Sequence, residues 1–75
     1  MSQRDHAQLG AQARALVDEL AASGDPAAFT ELLALSEHVG VALGTSARTI
    51  AANGSWTQVA GYAGTSKQAA WSRWH

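Results

Sequence analysis

Apolar and small residues recur with a helical period from Phe29 to Ala51, and no slip in phase interrupts them. The residues that keep this phase, here called the first stripe, are Phe29, Leu32, Leu33, Ser36, Val39, Gly40, Leu43, Ala47, Ile50 and Ala51. Spacings of three and four residues place them on one face of a helix. The pattern predicts one helix from Pro26 to about Asn53, roughly 40 Å long at 1.5 Å per residue.

Two glycines inside this run leave an alternative open. Gly40 and Gly44 could end the helix, and Thr45 or Ser46 could then cap a new one. The unbroken apolar phase favours a single continuous helix.

A second stripe with heptad spacing shares the same helix: Ala28, Leu32, Leu35, Val39 and Ala42. A helix with two apolar stripes needs two partners, so we expect the preceding helix to cover the first stripe and a second copy of the chain to cover the second. The predicted dimer interface comprises Leu32, Leu35, Val39 and Ala42. Gly40 and Gly44 would let a crossing helix approach closely. The alternative is that both stripes pack within one monomer.

The residues before Pro26 predict another helix, from about Gln3 to Ala22, with Ser2 as its cap and Asp5 in its first turn. The sequence Ser-Gly-Asp-Pro then separates the two long helices. Gly24 suits a left-handed helix end, and Asp25 suits the N-cap of the next helix.

Composition narrows the class of protein. The chain is alanine-rich and contains one proline and no cysteine, which favours helix and excludes disulfides and thiolate metal sites. No apolar run is long enough for a membrane span, and the N-terminus lacks the apolar core of a signal peptide. We therefore expect a cytoplasmic protein.

Charge is divided unevenly along the chain. All six acidic residues lie within residues 1–37, where two arginines leave a net charge of −4. Residues 38–75 contain no acid, and Arg48, Lys67 and Arg73 give them a charge of +3. Such asymmetry is typical of chains with one nucleic-acid-binding end.

The last third of the chain predicts two short helices joined by a tight turn. Ser55 caps the first, Trp56 to about Ala63, and Ser66 caps the second, Lys67 to about Trp74. Gly64-Thr65 forms the turn, where glycine tolerates a positive φ. Val59, Ala60, Ala70 and Trp74 are the residues expected to pack between the helices.

The stretch from Val59 to Trp74, VAGYAGTSKQAAWSRW, resembles the helix-turn-helix of bacterial transcription regulators. It is especially similar to the pattern G-[VT]-[ST]-[RK]-Q-A-A-W-x-R-[WF] of small actinobacterial DNA-binding proteins. The resemblance covers about 20 residues and implies a DNA-recognition helix. Thr65 departs from the Val or Ile usual after the turn glycine and would fill the core less well. His75 directly follows the second helix, so we expect no wing and assign dimerisation to residues 1–53.

If this helix enters the major groove, its N-terminal residues face the bases. Gln68 can pair with adenine, Ser72 with a base or phosphate, and Ala69 with a thymine methyl. Lys67 and Arg73 are expected to contact phosphates, and Arg73 could instead pair with a residue of the chain. Ser66 is expected to cap the helix, either alone or while also contacting a phosphate. Thr57 and Gln58 are candidate backbone clamps.

The aromatic residues have alternative roles in this arrangement. Trp71 lies between the buried and groove sides and is expected either to close the core, the favoured interpretation, or to contact the sugar-phosphate edge. Trp74 is expected in the core, and Trp56 is expected to pack against the end of the long helix. Tyr62 either donates its hydroxyl to phosphate or lies partly buried.

These patterns predict an all-α chain of about four helices, two long ones followed by a helix-turn-helix. We expect one domain, 1–75, with a helical scaffold in 1–53 and the motif in 55–75. The expected function is sequence-specific binding of double-stranded DNA by a homodimer, as a nucleoid-associated, repressor-like regulator. The alternative is a protein-interaction module, an adaptor or antitoxin-like partner docking through the long helix. The three histidines have no ligand spacing, so we expect no metal, no cofactor and no enzymatic activity.

Overall fold

The computed structural model describes residues 5–75, which form four α-helices and no β-strand. The helices are α1 (His6–Ala22), α2 (Pro26–Asn53), α3 (Trp56–Ala63) and α4 (Lys67–Trp74). The all-α class is confirmed, as are the bounds predicted for the last three helices. α2 continues through Gly40 and Gly44 as one helix of 28 residues.

The start of α1 lies later than expected. Asp5 is the N-cap of α1, and its side chain accepts a hydrogen bond from the backbone N–H of Ala7 at 3.2 Å. Asp5 therefore precedes the helix and is not in its first turn. The predicted cap Ser2 and predicted start Gln3 lie outside the described residues.

The connection between α1 and α2 confirms one local expectation and corrects another. The Asp25 carboxylate accepts a hydrogen bond from the N–H of Ala27 at 2.9 Å, as expected at a helix start. The left-handed conformation expected at Gly24 is wrong, since Gly64 is the one positive-φ residue in the described range. α1 ends through Ser23 in an extended conformation, and this residue donates its N–H to the Leu20 carbonyl.

The chain divides into two compact units, with the boundary inside α2 between Ser36 and Glu37. The expected organisation, one domain over 1–75 with a helical scaffold in 1–53 and a motif in 55–75, stays a prediction. We call the described residues up to Ser36 the first unit and Glu37–His75 the second unit.

The first unit has little core. Ala28 is its one buried apolar residue among those described, and α1 has no buried residue. Leu16 and Leu20 of α1 line a groove with Ala28, whereas Phe29 and Leu33 are 64% and 57% exposed. α1 therefore lies beside the start of the second stripe, the reverse of the expected assignment.

The second unit has a core built mostly from small side chains. Its buried apolar side chains are those of Ala47 on α2, Val59 and Ala60 on α3, and Ala70 on α4. Partly buried apolar residues pack against this cluster: Ile50, Ala51, Trp56 and Trp74. The predicted core position of Trp74 is confirmed, and Trp56 packs against the same cluster. Small residues at the crossing points allow short helices to pack closely.

In the described range, no helix combines the length with the apolar character that a membrane-spanning segment requires.

Candidate nucleic-acid interface

α3 begins in a reciprocal pair of hydrogen bonds. The Ser55 hydroxyl oxygen accepts the backbone N–H of Gln58 at 3.2 Å, and the Gln58 amide oxygen accepts the backbone N–H of Ser55 at 3.2 Å. This capping box confirms Ser55 as the cap. The Gln58 amide oxygen is thus used as an acceptor within the cap. Its NH₂ group is the donor that the predicted contact with the DNA backbone would need. Thr57, the other predicted clamp, is exposed.

The turn between α3 and α4 has the conformation that the sequence predicts. Gly64 adopts φ 69° and ψ 35°, in the left-handed region that favours glycine. The N–H of Thr65 donates to the carbonyl oxygen of Ala60 at 3.0 Å. The Thr65 side chain is exposed and so does not fill the core, which is closed by other residues.

α4 presents one buried side and one exposed side. The Ser66 hydroxyl accepts the N–H of Ala69 at 3.1 Å, which confirms Ser66 as the N-cap. Ala70 is 0% exposed, and Trp74, one turn later, is half-buried. Gln68 and Ser72 are exposed on the opposite side, since each residue advances by 100° around a helix.

The charged residues of α4, Lys67 and Arg73, are exposed. The small residue Ala69 is exposed as well. The guanidinium carbon of Arg73 lies 5.1 Å from the ring centroid of Trp74, a cation–π contact with the next residue of the chain. Arg73 holds its charge beside the helix while its N–H groups can still donate to a phosphate.

The favoured expectation that Trp71 closes the core is wrong. Trp71 is 48% exposed because Ala70 and Trp74 occupy the buried side of α4 and leave Trp71 on its flank. Its ring stacks on the His75 imidazole with centroids 3.9 Å apart and planes 6° from parallel. Sequence reasoning missed His75, although its spacing of four residues from Trp71 is that of neighbours on a helix surface. Tyr62, at 78% exposed, is not partly buried either.

Sequence reasoning also missed a contact between α2 and α4. The Nη1 atom of Arg48 donates to the carbonyl oxygen of Trp74 at 3.0 Å. Helical periodicity marks Arg48 only as a polar residue on α2, so the contact had no sequence signal beyond the local excess of positive charge.

The electrostatics around α4 favour an anionic ligand. Arg48, Lys67 and Arg73 all belong to the second unit, in which the one acid, Glu37, lies in the first position. Among residues 5–75, no three His, Asp or Glu side chains gather in a way that could hold a metal ion.

The residues of the predicted dimer interface differ in their exposure. Leu32 and Leu35 are half-buried, whereas Val39 and Ala42 are exposed. Among the described residues, nothing outside α2 lies within 4 Å of a Cβ atom built at Gly40, so no described helix crosses α2 closely at this point. Val39, at 53% exposed, and Ala42 are therefore the more accessible members of the predicted set.

Comparisons with models of protein families, with curated proteins and with solved structures gave no match. The surface of α4 must therefore be interpreted from its own exposure, charge and packing.

Proposed function

We propose that this chain binds double-stranded DNA sequence-specifically, with α3, the Gly64 turn and α4 acting as a helix-turn-helix. The observation that carries the proposal is the two-sided character of α4. Ala70 is fully buried against the core, while Gln68 and Ser72 project from the opposite side. A helix held in this way can enter the major groove, which is wide enough to admit it.

The exposed side of α4 has the chemistry that base recognition requires. The Gln68 amide can donate to and accept from adenine in a bidentate pair, and the Ser72 hydroxyl can do either singly. Ala69 is small enough to meet a thymine methyl group. Ser66 lies where the free N–H groups and dipole of the helix start attract a phosphate.

Contacts to the DNA backbone come from the flanks of this surface. We assign phosphate contacts to Lys67, Arg73 and Thr57, and a sugar-phosphate contact to the exposed ring of Trp71. So few cations per chain provide weak binding, because each neutralised phosphate contributes separately to affinity. A homodimer would double these contacts, with Val39 and Ala42 as accessible members of its interface. The simplest role for such a protein is a repressor-like, nucleoid-associated regulator that occludes a promoter.

Substitution of Gln68 by alanine tests the proposal most directly. Gln12, an exposed glutamine on α1, provides the matched control. We expect Gln68→Ala to lower affinity for the preferred DNA by about tenfold or more, since one bidentate base contact contributes roughly 1–3 kcal/mol. We expect Gln12→Ala to bind as the unmodified chain does, and both variants to keep its melting temperature.

The measurement is fluorescence anisotropy of labelled DNA, with random-sequence fragments and the fragment upstream of the coding sequence, at two salt concentrations. Binding should weaken as salt rises and should favour one fragment. A folded protein that binds neither fragment at low salt would contradict the proposal.

The exposed apolar residues of the first unit favour a second candidate, a protein-interaction module that docks through α2. Phe29 and Leu33 are large, apolar and more than half exposed, and such residues are frequent at protein interfaces. In this case, substitutions at the exposed Phe29 or Leu33 would abolish partner binding, and Gln68→Ala would have no effect. The paired variants therefore separate the two functions.

A further inference from the structure

Arg48 reaches from α2 to the end of α4. Its Nη1 atom donates to the carbonyl oxygen of Trp74, 26 residues later in the chain, at 3.0 Å. The last carbonyl groups of a helix have no partner within the helix. They also carry the negative end of the helix dipole, which attracts a cation. Arg48 therefore supplies both a hydrogen-bond donor and a favourable charge at the end of α4.

Gly44 makes room for this contact one turn earlier on α2. A Cβ atom built at Gly44 would lie 3.0 Å from Nη1 of Arg48, 3.6 Å from Nη2 and 3.7 Å from Cζ. The Arg48 guanidinium thus lies against the α2 backbone in the space that a side chain at position 44 would occupy. A Cβ atom there would require the guanidinium, the group that contacts Trp74, to shift by a few tenths of an ångström.

We infer that Gly44 and Arg48 form a clamp that fixes α4 on α2. The clamp sets the direction in which the exposed side of α4 meets its ligand, an inference that rests on the proposed DNA binding. Arg48 is a positioning residue in this arrangement, since one of its N–H groups is committed to Trp74. Sites that recognise a ligand through a few side chains require their supports to hold them within about half an ångström.

A matched pair of glycine substitutions tests the clamp. Gly40 and Gly44 both lie inside α2, but no atom lies within 4 Å of a Cβ built at Gly40. Alanine in a helix interior is more stable than glycine, so we expect Gly40→Ala to raise the melting temperature by about 3–6 °C. We expect Gly44→Ala to be at least as stable as the unmodified chain.

The two variants should differ in DNA binding. We expect Gly44→Ala to weaken binding by about twofold to fivefold, since a shift of a few tenths of an ångström weakens one hydrogen bond without removing it, and Gly40→Ala to leave binding unchanged. The slope of log affinity against log salt should stay the same, because Gly44→Ala removes no charge. If Gly44 served only to stabilise the fold, Gly44→Ala would not keep or raise the stability of the chain while lowering its affinity for DNA.

Arg48→Gln provides the second variant. We expect it to weaken DNA binding at least as much as Gly44→Ala does. The variant that carries both changes should bind DNA no more weakly than Arg48→Gln alone, since both changes act on the same contact between Arg48 and Trp74. Amide resonances measured without DNA give an independent reading. Gly44→Ala should shift those of Trp71–His75, at the end of α4, and Gly40→Ala should not.

The clamp is overturned if Gly44→Ala binds DNA as Gly40→Ala does and leaves the resonances at the end of α4 unchanged. If the unmodified chain binds no DNA, the proposed function fails, but the resonances still decide on the clamp. A shift at the end of α4 in Gly44→Ala alone would then support it.

Discussion

The two units of this chain use similar residues to different effect. In the first unit, one helix of 17 residues and the start of a 28-residue helix bury a single alanine among the described residues. In the second unit, two helices of only eight residues join the end of α2 around four buried apolar side chains. Helix length therefore does not determine the size of a core. The second unit gains its core because the turn at Gly64 brings small residues of α3 and α4 together.

The difference extends to the surfaces that remain exposed. The first unit leaves large apolar side chains accessible, including Leu16 and Phe29. The second unit also leaves large apolar side chains exposed, including Val41 and Tyr62, but its helix α4 adds exposed polar and cationic side chains such as Gln68 and Arg73. Burial of each large apolar side chain would stabilise an assembly by about 1.5–3 kcal/mol. Exposed apolar side chains are therefore common to both units, and the exposed cationic side chains of α4 distinguish the second.

The largest expected effect comes from enlarging the buried alanines. We expect Ala70→Leu to lower the free energy of unfolding by about 1–3 kcal/mol, since the 0%-exposed site has no room for three further carbons. Ala28→Leu should cost less, because Ala28 lines an open groove in the first unit. Urea denaturation of both variants checks this comparison. Equal losses would indicate that the first unit has a core as tightly packed as the second.

Local signals allowed much of the second unit to be predicted. Residue type alone predicts the structural roles of Ser55, Gly64 and Ser66, because helix caps and left-handed turns depend on a few adjacent residues. The contacts of Trp71 and Arg48 could not be predicted in the same way. Which of several partners a long side chain chooses depends on how helices pack, and helical periodicity carries no information about that choice.

The first unit offered weaker signals. Two overlapping stripes on α2 left the position of α1 ambiguous, and the structure puts α1 beside Ala28 rather than Phe29. The conformation of Gly24 was also ambiguous from sequence, because a glycine after a helix permits a left-handed conformation without requiring it.

The turn glycines provide the next prediction in order of size. We expect Gly64→Ala to destabilise the chain by about 1–2 kcal/mol, because a Cβ atom is strained at φ 69°. Gly24→Ala serves as its control in the first unit, where φ is not positive and no atom lies within 4 Å of the added Cβ. That change should leave stability unchanged or raise it slightly. Thermal melts of the two variants suffice, and a destabilised Gly24→Ala would contradict the comparison.

The smallest effect on folding is expected at the exposed face of the first unit. We expect Leu33→Ala to change the free energy of unfolding of the dilute monomer by less than about 0.5 kcal/mol, since Leu33 is already more than half exposed. Self-association, measured by sedimentation over a range of concentrations, should instead weaken by about tenfold or more if a second copy covers this residue. Unchanged association would show that Leu33 lies outside any contact between copies.

The capping box at the start of α3 has a consequence for how this sequence can vary. A Cβ atom at Gly54 would collide with the amide oxygen of Gln58, the atom that accepts the N–H of Ser55. A larger residue at position 54 would therefore displace Gln58, and a shorter residue at position 58 would remove the obstacle at 54. The two positions are coupled. A larger residue at position 54 should be tolerated together with a shorter residue at position 58, which removes the collision.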